Sequence, residues 1–169
     1  RRWSIPDKID PCSDSLSTVG SEQEGQTHMT ISIHDQVELA NRDYYEAFEA
    51  RDLVLMMDQW SSRDDIVCIP PFGEAALGWR AVEKAYRDTF RVIGESTVEM
   101  EVLRVSIEDP IATVSCSERI FKADGTSDCE FLATNVYLLE REGWRIIHHH
   151  ASWRTIAQTR MFGTEAPPD

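Results

Sequence analysis

The last apolar run of the chain reads Gly143-Trp144-Arg145-Ile146-Ile147-His148-His149-His150-Ala151-Ser152-Trp153. Side chains alternate between the two faces of a strand, so this run places five of them together: Trp144, Ile146, His148, His150 and Ser152. His149 falls on the opposite face. An apolar first half followed by two histidines on one face predicts a wall of a half-buried pocket. Histidine has the unperturbed pKa nearest to neutrality, so such a wall can move protons. A packed strand without chemistry is the alternative.

The composition predicts one soluble globular domain with tails. The chain has 169 residues, of which 41% are apolar and 28% charged. The formal net charge of −13 argues against a surface for nucleic acid or an anionic membrane, because both need clustered Lys and Arg. Acidic small molecules stay open, because a single local arginine can hold one. No apolar run approaches membrane-spanning length, and no signal-peptide pattern is present.

Four cysteines bear on the compartment: Cys12, Cys68, Cys116 and Cys129. They form neither a CxxC pair nor a zinc-binding spacing. Three of them lie in apolar, strand-like runs, where a free cysteine behaves as a small hydrophobic residue. We therefore expect reduced cysteines and a cytoplasmic protein.

The chain divides into three segments by composition. Residues 1–29 are rich in Ser, Asp, Glu, Gln and Gly, which predicts a disordered N-terminal extension. Met29 is a candidate natural start. Residues 30–155 form the predicted domain, and residues 156–169 form a C-terminal tail that ends in Pro167-Pro168 and Asp169.

Hydrophobic periodicity within the domain changes from helical to strand-like. Apolar spacing and capping residues predict helices at about 33–51, 53–60 and 79–93. A short strand at 66–69 precedes the third helix, and longer strands follow at 97–108, 111–122, 129–140 and 144–153. Short links between these strands make neighbours antiparallel. The prediction is a cone-shaped α+β fold, with about three N-terminal helices in the concave face of a curved, mainly antiparallel sheet.

Several short motifs in this order resemble the nuclear transport factor 2-like superfamily, and most of all its SnoaL-like and ketosteroid-isomerase-like members. The motifs are Ala50-Arg51-Asp52-Leu53, Trp60 with Asp64-Asp65-Ile66-Val67, Pro71-Phe72-Gly73, Gly78-Trp79-Arg80-Ala81-Val82 and the terminal run 143–152. The resemblance covers roughly residues 33–153. It is specific for the fold and weak for any one activity, because this fold hosts many functions.

The resemblance implies candidate catalytic positions. Tyr44 falls where ketosteroid isomerases place the tyrosine of their oxyanion hole. Asn135 falls at their second donor, a protonated aspartic acid, and an amide can also donate a hydrogen bond there. The aspartate that serves those isomerases as general base is matched here by Pro70. Steroid isomerisation by the same mechanism is therefore not expected.

Strand parity offers a substitute for the missing base. By the same alignment, His148 and His150 face the cavity. Glu118 shares one face of its strand with Cys116, and if that face points inward Glu118 can orient a histidine. A metal held by the two histidines and a carboxylate is a further alternative, although no second metal motif exists. The remaining alternative is that His148 and His150 are core or interface residues whose hydrogen bonds are satisfied by neighbours. His149 is expected on the surface or at an interface.

Aromatic and apolar residues are expected to form the cavity wall and to suit a flat, apolar ligand. The candidates for substrate contact are Trp60, Cys68, Pro70, Phe72, Trp79, Tyr86 and Tyr137.

Two functions remain open at this point. The first is a SnoaL-like small-molecule-binding protein that acts as a cofactor-free isomerase, dehydratase or cyclase on a compact hydrophobic carbonyl compound. His150 or His148 would be the acid/base, Glu118 its orienting group, and Tyr44 with Asn135 the oxyanion donors. No cofactor or metal is expected.

The second is a non-catalytic module of the same fold that binds a ligand or a protein partner. It would be favoured if His148 and Glu118 lay on opposite faces of the sheet. Apolar residues on both faces of strands 97–108 and 111–122 predict a homodimer packed sheet to sheet, as the resemblance also implies.

Overall fold

The structure is a computed structural model that describes residues 31–127 and 129–154, without the side chain of Cys129. The described residues belong to one compact unit that begins at Ile31. The predicted N-terminal extension, and the C-terminal tail from residue 156, lie outside the described residues.

Three helices precede the long strands. Helix α1 spans Ile33–Ala50, and the side chain of Ser32 caps its start by accepting from the backbone N–H of Asp35. Helix α2 spans Leu53–Gln59. Asp52 is its N-cap residue, and the carboxylate of Asp52 accepts hydrogen bonds from two backbone N–H groups.

Helix α3 spans Trp79–Val92 and begins after Gly78. Gly78 has a φ of +82°, and a Cβ built on it would lie 3.0 Å from the carbonyl oxygen of Asp64. A residue with a side chain would be strained there. This junction fixes the start of the helix that brings Tyr86 to the interior.

Six strands form one sheet in the order β2-β1-β6-β5-β4-β3. Their bounds are Val67–Ile69 (β1), Ala76–Leu77 (β2), Ser96–Glu108 (β3), Ile111–Lys122 (β4), Cys129–Glu140 (β5) and Gly143–Trp153 (β6). Neighbours are antiparallel except β1 and β6, which run parallel. The α+β class and the mainly antiparallel sheet are confirmed. Strand β2 was not predicted, because two residues carry too little pattern.

The core lies between the helices and one face of the sheet. Every second residue of β4 from Ala112 to Glu118 is buried, and so is every second residue of β5 from Phe131 to Tyr137. These side chains meet Val37 and its neighbours on α1. The free cysteines Cys68 and Cys116 are buried in this layer.

A β-bulge interrupts β6. On the neighbouring strand Val136 and Tyr137 are adjacent, but their partners His148 and Ile146 are two residues apart. Ile147 is therefore an extra residue without a partner. Side chains in a strand normally alternate between the two faces. After one extra residue, every following side chain therefore points to the face opposite the one that strict alternation predicts.

This bulge overturns the expected facing of the histidines. Ile146, before the bulge, and His149, beyond it, both point towards the helices and are buried. The prediction that His148 and His150 share the inner face is wrong. His148 is half-buried and His150 exposed on the outer face.

Within the described part of the chain, no helix combines the length and the apolarity that crossing a bilayer requires.

Candidate functional site

A cavity of about 430 Å³ opens between the helices and the inner face of the sheet. This volume lies within the range of sites that hold drug-sized molecules. The walls come from helices α1 and α3, strand β1 with the turn after it, and strands β3 to β6. Most of the lining is apolar, and the ionisable groups Glu118 and His149 lie on it, with Lys122 at a more exposed position.

Aromatic rings frame one side of the cavity. Phe72, in the turn after β1, is 61% exposed and still lines the cavity. Its ring lies edge-on to Phe131 at 5.7 Å and to Trp153 at 5.2 Å between ring centroids. Such edge-to-face pairs are favourable beyond the area they bury. An exposed ring on a buried one marks this side as part of the entrance.

His149 is the histidine that reaches the cavity. It pairs with Cys68 of β1 across the parallel ladder, and both side chains line the cavity. Burial lowers the pKa of His149 to about 3, with smaller contributions from the neighbouring His148 and His150. The imidazole is therefore neutral at physiological pH.

A buried amide fixes the tautomer of that imidazole. The Nδ1 atom of His149 lies 2.6 Å from Oδ1 of Asn135. Asn135 donates from Nδ2 to Oδ1 of Asn41 at 2.8 Å and to the hydroxyl of Tyr45 at 3.3 Å. Tyr137 also donates to Oδ1 of Asn41, at 2.9 Å, and in this network Oδ1 of Asn135 faces the imidazole.

The proton of His149 follows from this network. Because Oδ1 of Asn135 can only accept, Nδ1 of His149 carries the hydrogen. No other described residue hydrogen-bonds the ring, so Nε2 presents a lone pair to the cavity.

Glu118 is the buried carboxyl group of the site, at 7% exposure. The hydroxyl of Tyr45 donates to its Oε1 at 2.5 Å. Burial raises the pKa of Glu118, and the hydrogen bond from Tyr45 offsets part of that rise. A carboxyl group with a raised pKa in an apolar cavity is suited to accept a proton from carbon.

Two phenols lie beside these groups. The hydroxyls of Tyr44 and Tyr86 are 2.7 Å apart, and both rings line the cavity. Burial raises the pKa of both phenols well above the usual value of 10, so both are neutral. One hydroxyl hydrogen forms the bond between them. The thiol of Cys68 donates to Tyr86 at 3.7 Å, so the second phenol hydrogen remains to donate to a ligand.

The structure separates the predicted catalytic residues into two groups. Tyr44 and Glu118 line the cavity, whereas His148 and His150 do not. Asn135 is buried behind the lining, and both of its N–H groups are occupied by Asn41 and Tyr45. The prediction that Asn135 donates to an oxyanion is therefore wrong, and its contact with His149 gives it a positioning role. Glu118 orients no histidine in this structure, since its hydrogen bond comes from Tyr45.

The predicted wall residues divide similarly. Four of them line the cavity: Cys68, Pro70, Phe72 and Tyr86. Trp60 is buried in the core against Tyr86, and Trp79 packs at the core edge. Tyr137 is buried and donates to Asn41. None of these three lines the cavity.

Three residues of the site were not predicted: His149, Tyr45 and Asn41. A bulge leaves no clear mark in an apolar run, so strict alternation along β6 assigned His149 to the outer face. Asn41 and Tyr45 had a signal, because with Val37 they recur every four residues along the buried stripe of α1.

The structure does not bring together the residues of the predicted metal site. Glu118 lies on the inner face of the sheet, whereas His148 and His150 lie beyond the bulge on the outer face. Among the described residues, the trio of potential ligands that does come together is His34, Asp35 and Glu38 at the start of α1. All three lie at the surface, where acidic groups are common without a metal.

Comparison with known proteins agrees with this architecture. A sequence profile of the SnoaL-like domain matches residues 37–157. The chain belongs to the SnoaL-like domain family. This SnoaL-like domain is 26% identical over 112 residues to the F-box protein SKIP8 of Arabidopsis thaliana, a match that covers 66% of this chain. The chain spans about half of that relative, since the match covers 47% of it.

Two solved structures show the same fold as this SnoaL-like domain. One, from Thiobacillus denitrificans, is proposed to be a calcium/calmodulin-dependent protein kinase type II association domain. It is 33% identical with a TM-score of 0.67, and the match covers 70% of this chain and 94% of that one. The other, from Streptomyces avermitilis, is proposed to be a dehydratase of the NTF2-like family. It is 24% identical with a TM-score of 0.65, and the match covers 72% of this chain and 97% of that one. This second likeness shows the fold alone. The sequence-based resemblance to SnoaL-like proteins is confirmed by the family match, and the fold is the one seen in the NTF2-like structure.

Replacing His149 by glutamine should remove an acid-sensitive part of the stability. The pKa of His149 is about 3 when folded and near 6.5 when unfolded, so unfolding below pH 6.5 takes up a proton and becomes easier as the pH falls. From pH 7.5 to 5.5 the wild type should lose roughly 1.4 kcal/mol of unfolding free energy through this group. Urea denaturation at the two pH values measures the loss, which His149→Gln should lack.

The matched control is His150→Gln on the outer face, which should keep the wild-type pH dependence. Glu118 has a raised pKa and so adds stability as the pH falls, but it is present in all three proteins and cancels. Equal pH dependence in the wild type and His149→Gln would contradict the buried, neutral imidazole.

Proposed function

We propose that this SnoaL-like domain is a cofactor-free isomerase, dehydratase or cyclase that acts on a compact hydrophobic carbonyl compound. The main support is that Glu118, His149 and the Tyr44–Tyr86 phenol pair line one apolar cavity. A proton acceptor, a hydrogen-bond acceptor and a neutral hydrogen-bond donor are thereby available to one molecule.

The common first step of these reactions is removal of a proton next to the carbonyl. The C–H bond breaks, its proton passes to the carboxylate of Glu118, and its electron pair moves to the carbonyl oxygen to form an enolate. Glu118 is preferred to a histidine as the base because burial raises its pKa, whereas burial lowers that of His149.

The enolate oxygen requires a donor that is already oriented. The uncommitted hydrogen of the Tyr44–Tyr86 pair fills this role, in a cavity where water competes little. His149 contributes differently, since its Nε2 accepts a hydrogen bond from a substrate hydroxyl and so orients the substrate. Asn135 holds that ring in place.

Glu118→Gln should abolish proton abstraction while keeping the shape of the cavity. The exchange of the α-hydrogens of 2-tetralone for deuterium in D₂O, followed by proton NMR, measures this step without requiring the natural substrate. The variant should lose about 100-fold or more of the rate, in the usual range for a general base. The wild-type rate should also fall as the pH drops through the raised pKa of Glu118.

Glu101→Gln is the matched control, because Glu101 is an exposed glutamate on β3 that does not line the cavity. It should exchange 2-tetralone at the wild-type rate. Wild-type exchange in Glu118→Gln would show that Glu118 is not the base.

A non-catalytic ligand-binding module is the second candidate. It is favoured by the position of His148, which lies on the face opposite Glu118. His149 occupies the inner face instead, which is why catalysis remains the first choice. Binding of 2-tetralone by the wild type without any acceleration of exchange would support this second function.

We also propose a homodimer through the outer face of the sheet. Val136 and Leu138 of β5 lie on that face and are only half-buried, and Leu132 is 43% exposed. Such a surface favours an apolar partner, and a second copy presents the same surface.

Val136→Glu should disrupt this dimer, because a second copy would have to bury a charge against an apolar strand. Sedimentation velocity should show a dimer for the wild type and a monomer for the variant. Val54→Glu is the matched control, because it adds the same charge at an exposed position of α2 away from the outer face of the sheet, and it should stay dimeric. A monomeric wild type at micromolar concentration would contradict the proposal.

A further inference from the structure

We propose that the ligand carries a carboxylate or similar anionic group, which Lys122 binds at the rim of the cavity. Its reacting end then lies on the floor beside Glu118 and His149. This inference rests on the proposed function and adds to it the class and the orientation of the ligand.

Strand β4 runs from the floor of the cavity to its rim. Glu118, Ile120 and Lys122 alternate onto the same face, and all three line the cavity. Their exposure rises in that order, from buried to half-buried to exposed. At about 3.4 Å per residue, the Cα atoms of Glu118 and Lys122 are roughly 14 Å apart. The ligand therefore has an apolar body that separates two polar ends.

The neighbouring strand repeats this gradient. In the ladder between β3 and β4, Ser96 pairs with Lys122 and Val98 pairs with Ile120. All four side chains line the cavity. An ammonium group and a hydroxyl thus stand side by side at the rim, above an apolar band. Both groups donate hydrogen bonds, which suits an anionic oxygen.

The charge of the protein makes this position selective. With a formal net charge of −13, the molecule as a whole repels anions. Of the described residues that line the cavity, Lys122 is the one with a cationic side chain, and Glu118 on the floor disfavours a second anion there. An anionic group therefore has one favourable place, at Lys122, and its binding sets which end of the ligand enters first.

Decanoate and its uncharged methyl ester test this inference, because they differ in charge and share the apolar chain. Their dissociation constants are measured at pH 8 by displacement of a fluorescent apolar probe. The wild type should bind decanoate more tightly than methyl decanoate, against the overall repulsion. Lys122→Gln should weaken decanoate binding about five- to tenfold and leave the ester within about twofold.

Arg119→Gln is the matched control, since Arg119 is exposed and does not line the cavity although it lies on the same strand. It removes one positive charge and should leave both affinities unchanged. Lys122→Arg should retain most of the preference for decanoate, which separates a loss of charge from a loss of structure.

Two results would overturn the inference and leave the proposed function intact: equal wild-type affinities for acid and ester, or equal weakening of decanoate binding by Lys122→Gln and Arg119→Gln. If neither compound binds the wild type, the inference and the apolar binding cavity of the proposed function both fail.

Discussion

One extra residue in β6 determines which histidine reaches the interior. Because Ile147 has no partner on β5, the side chains after it point to the face opposite the one that strict alternation predicts. His149 therefore lines the cavity, whereas His148 and His150 do not. The parallel pairing of β1 with the same segment then places Cys68 beside His149. Ile146, before the bulge, still packs in the core. The bulge thus allows one strand to complete the core at one end and the cavity wall at the other.

Two buried amides and a buried imidazole are tolerated beside the cavity because each of them has a hydrogen-bond partner. Asn41, Asn135 and His149 are all buried, and an unpaired polar group at such depth would cost on the order of 1–3 kcal/mol. The hydrogen bonds between them join the two amides and the imidazole into one connected network. A chain of fixed dipoles therefore stands behind the cavity before any ligand enters, which is the condition for electrostatic preorganisation.

The sequence predicted the elements well because their signals are local. Capping residues, apolar spacing and turn residues determined the three helices, the short strand β1 and the four long strands to within a few residues. The resemblance of short motifs supplied the family, and the SnoaL-like profile confirmed it. The two-residue strand β2 was not visible, because it is defined by its partner strand rather than by its own pattern.

The site was harder to predict, because the face of the sheet to which a side chain points depends on the register between strands. The pairing of β5 with β6 decides whether an odd or an even residue points inward, and an apolar run such as Ile146-Ile147 gives no hint of the bulge. Tyr44 and Glu118 were placed correctly because α1 and β4 keep their periodicity at those positions. The role of Asn135 changed for a different reason, since its partners Asn41 and Tyr45 come from a distant helix.

Long-range ¹⁵N–¹H correlation NMR of the histidine rings tests the bulge most directly, with His149 assigned by the loss of its signals in His149→Gln. At pH 6 the ring of His149 should be neutral with its hydrogen on Nδ1, and it should remain so when the pH is lowered to 5. A His149 ring that protonates over this range like an exposed imidazole would contradict the inward placement of His149, and a hydrogen on Nε2 would contradict its hydrogen bond to Oδ1 of Asn135.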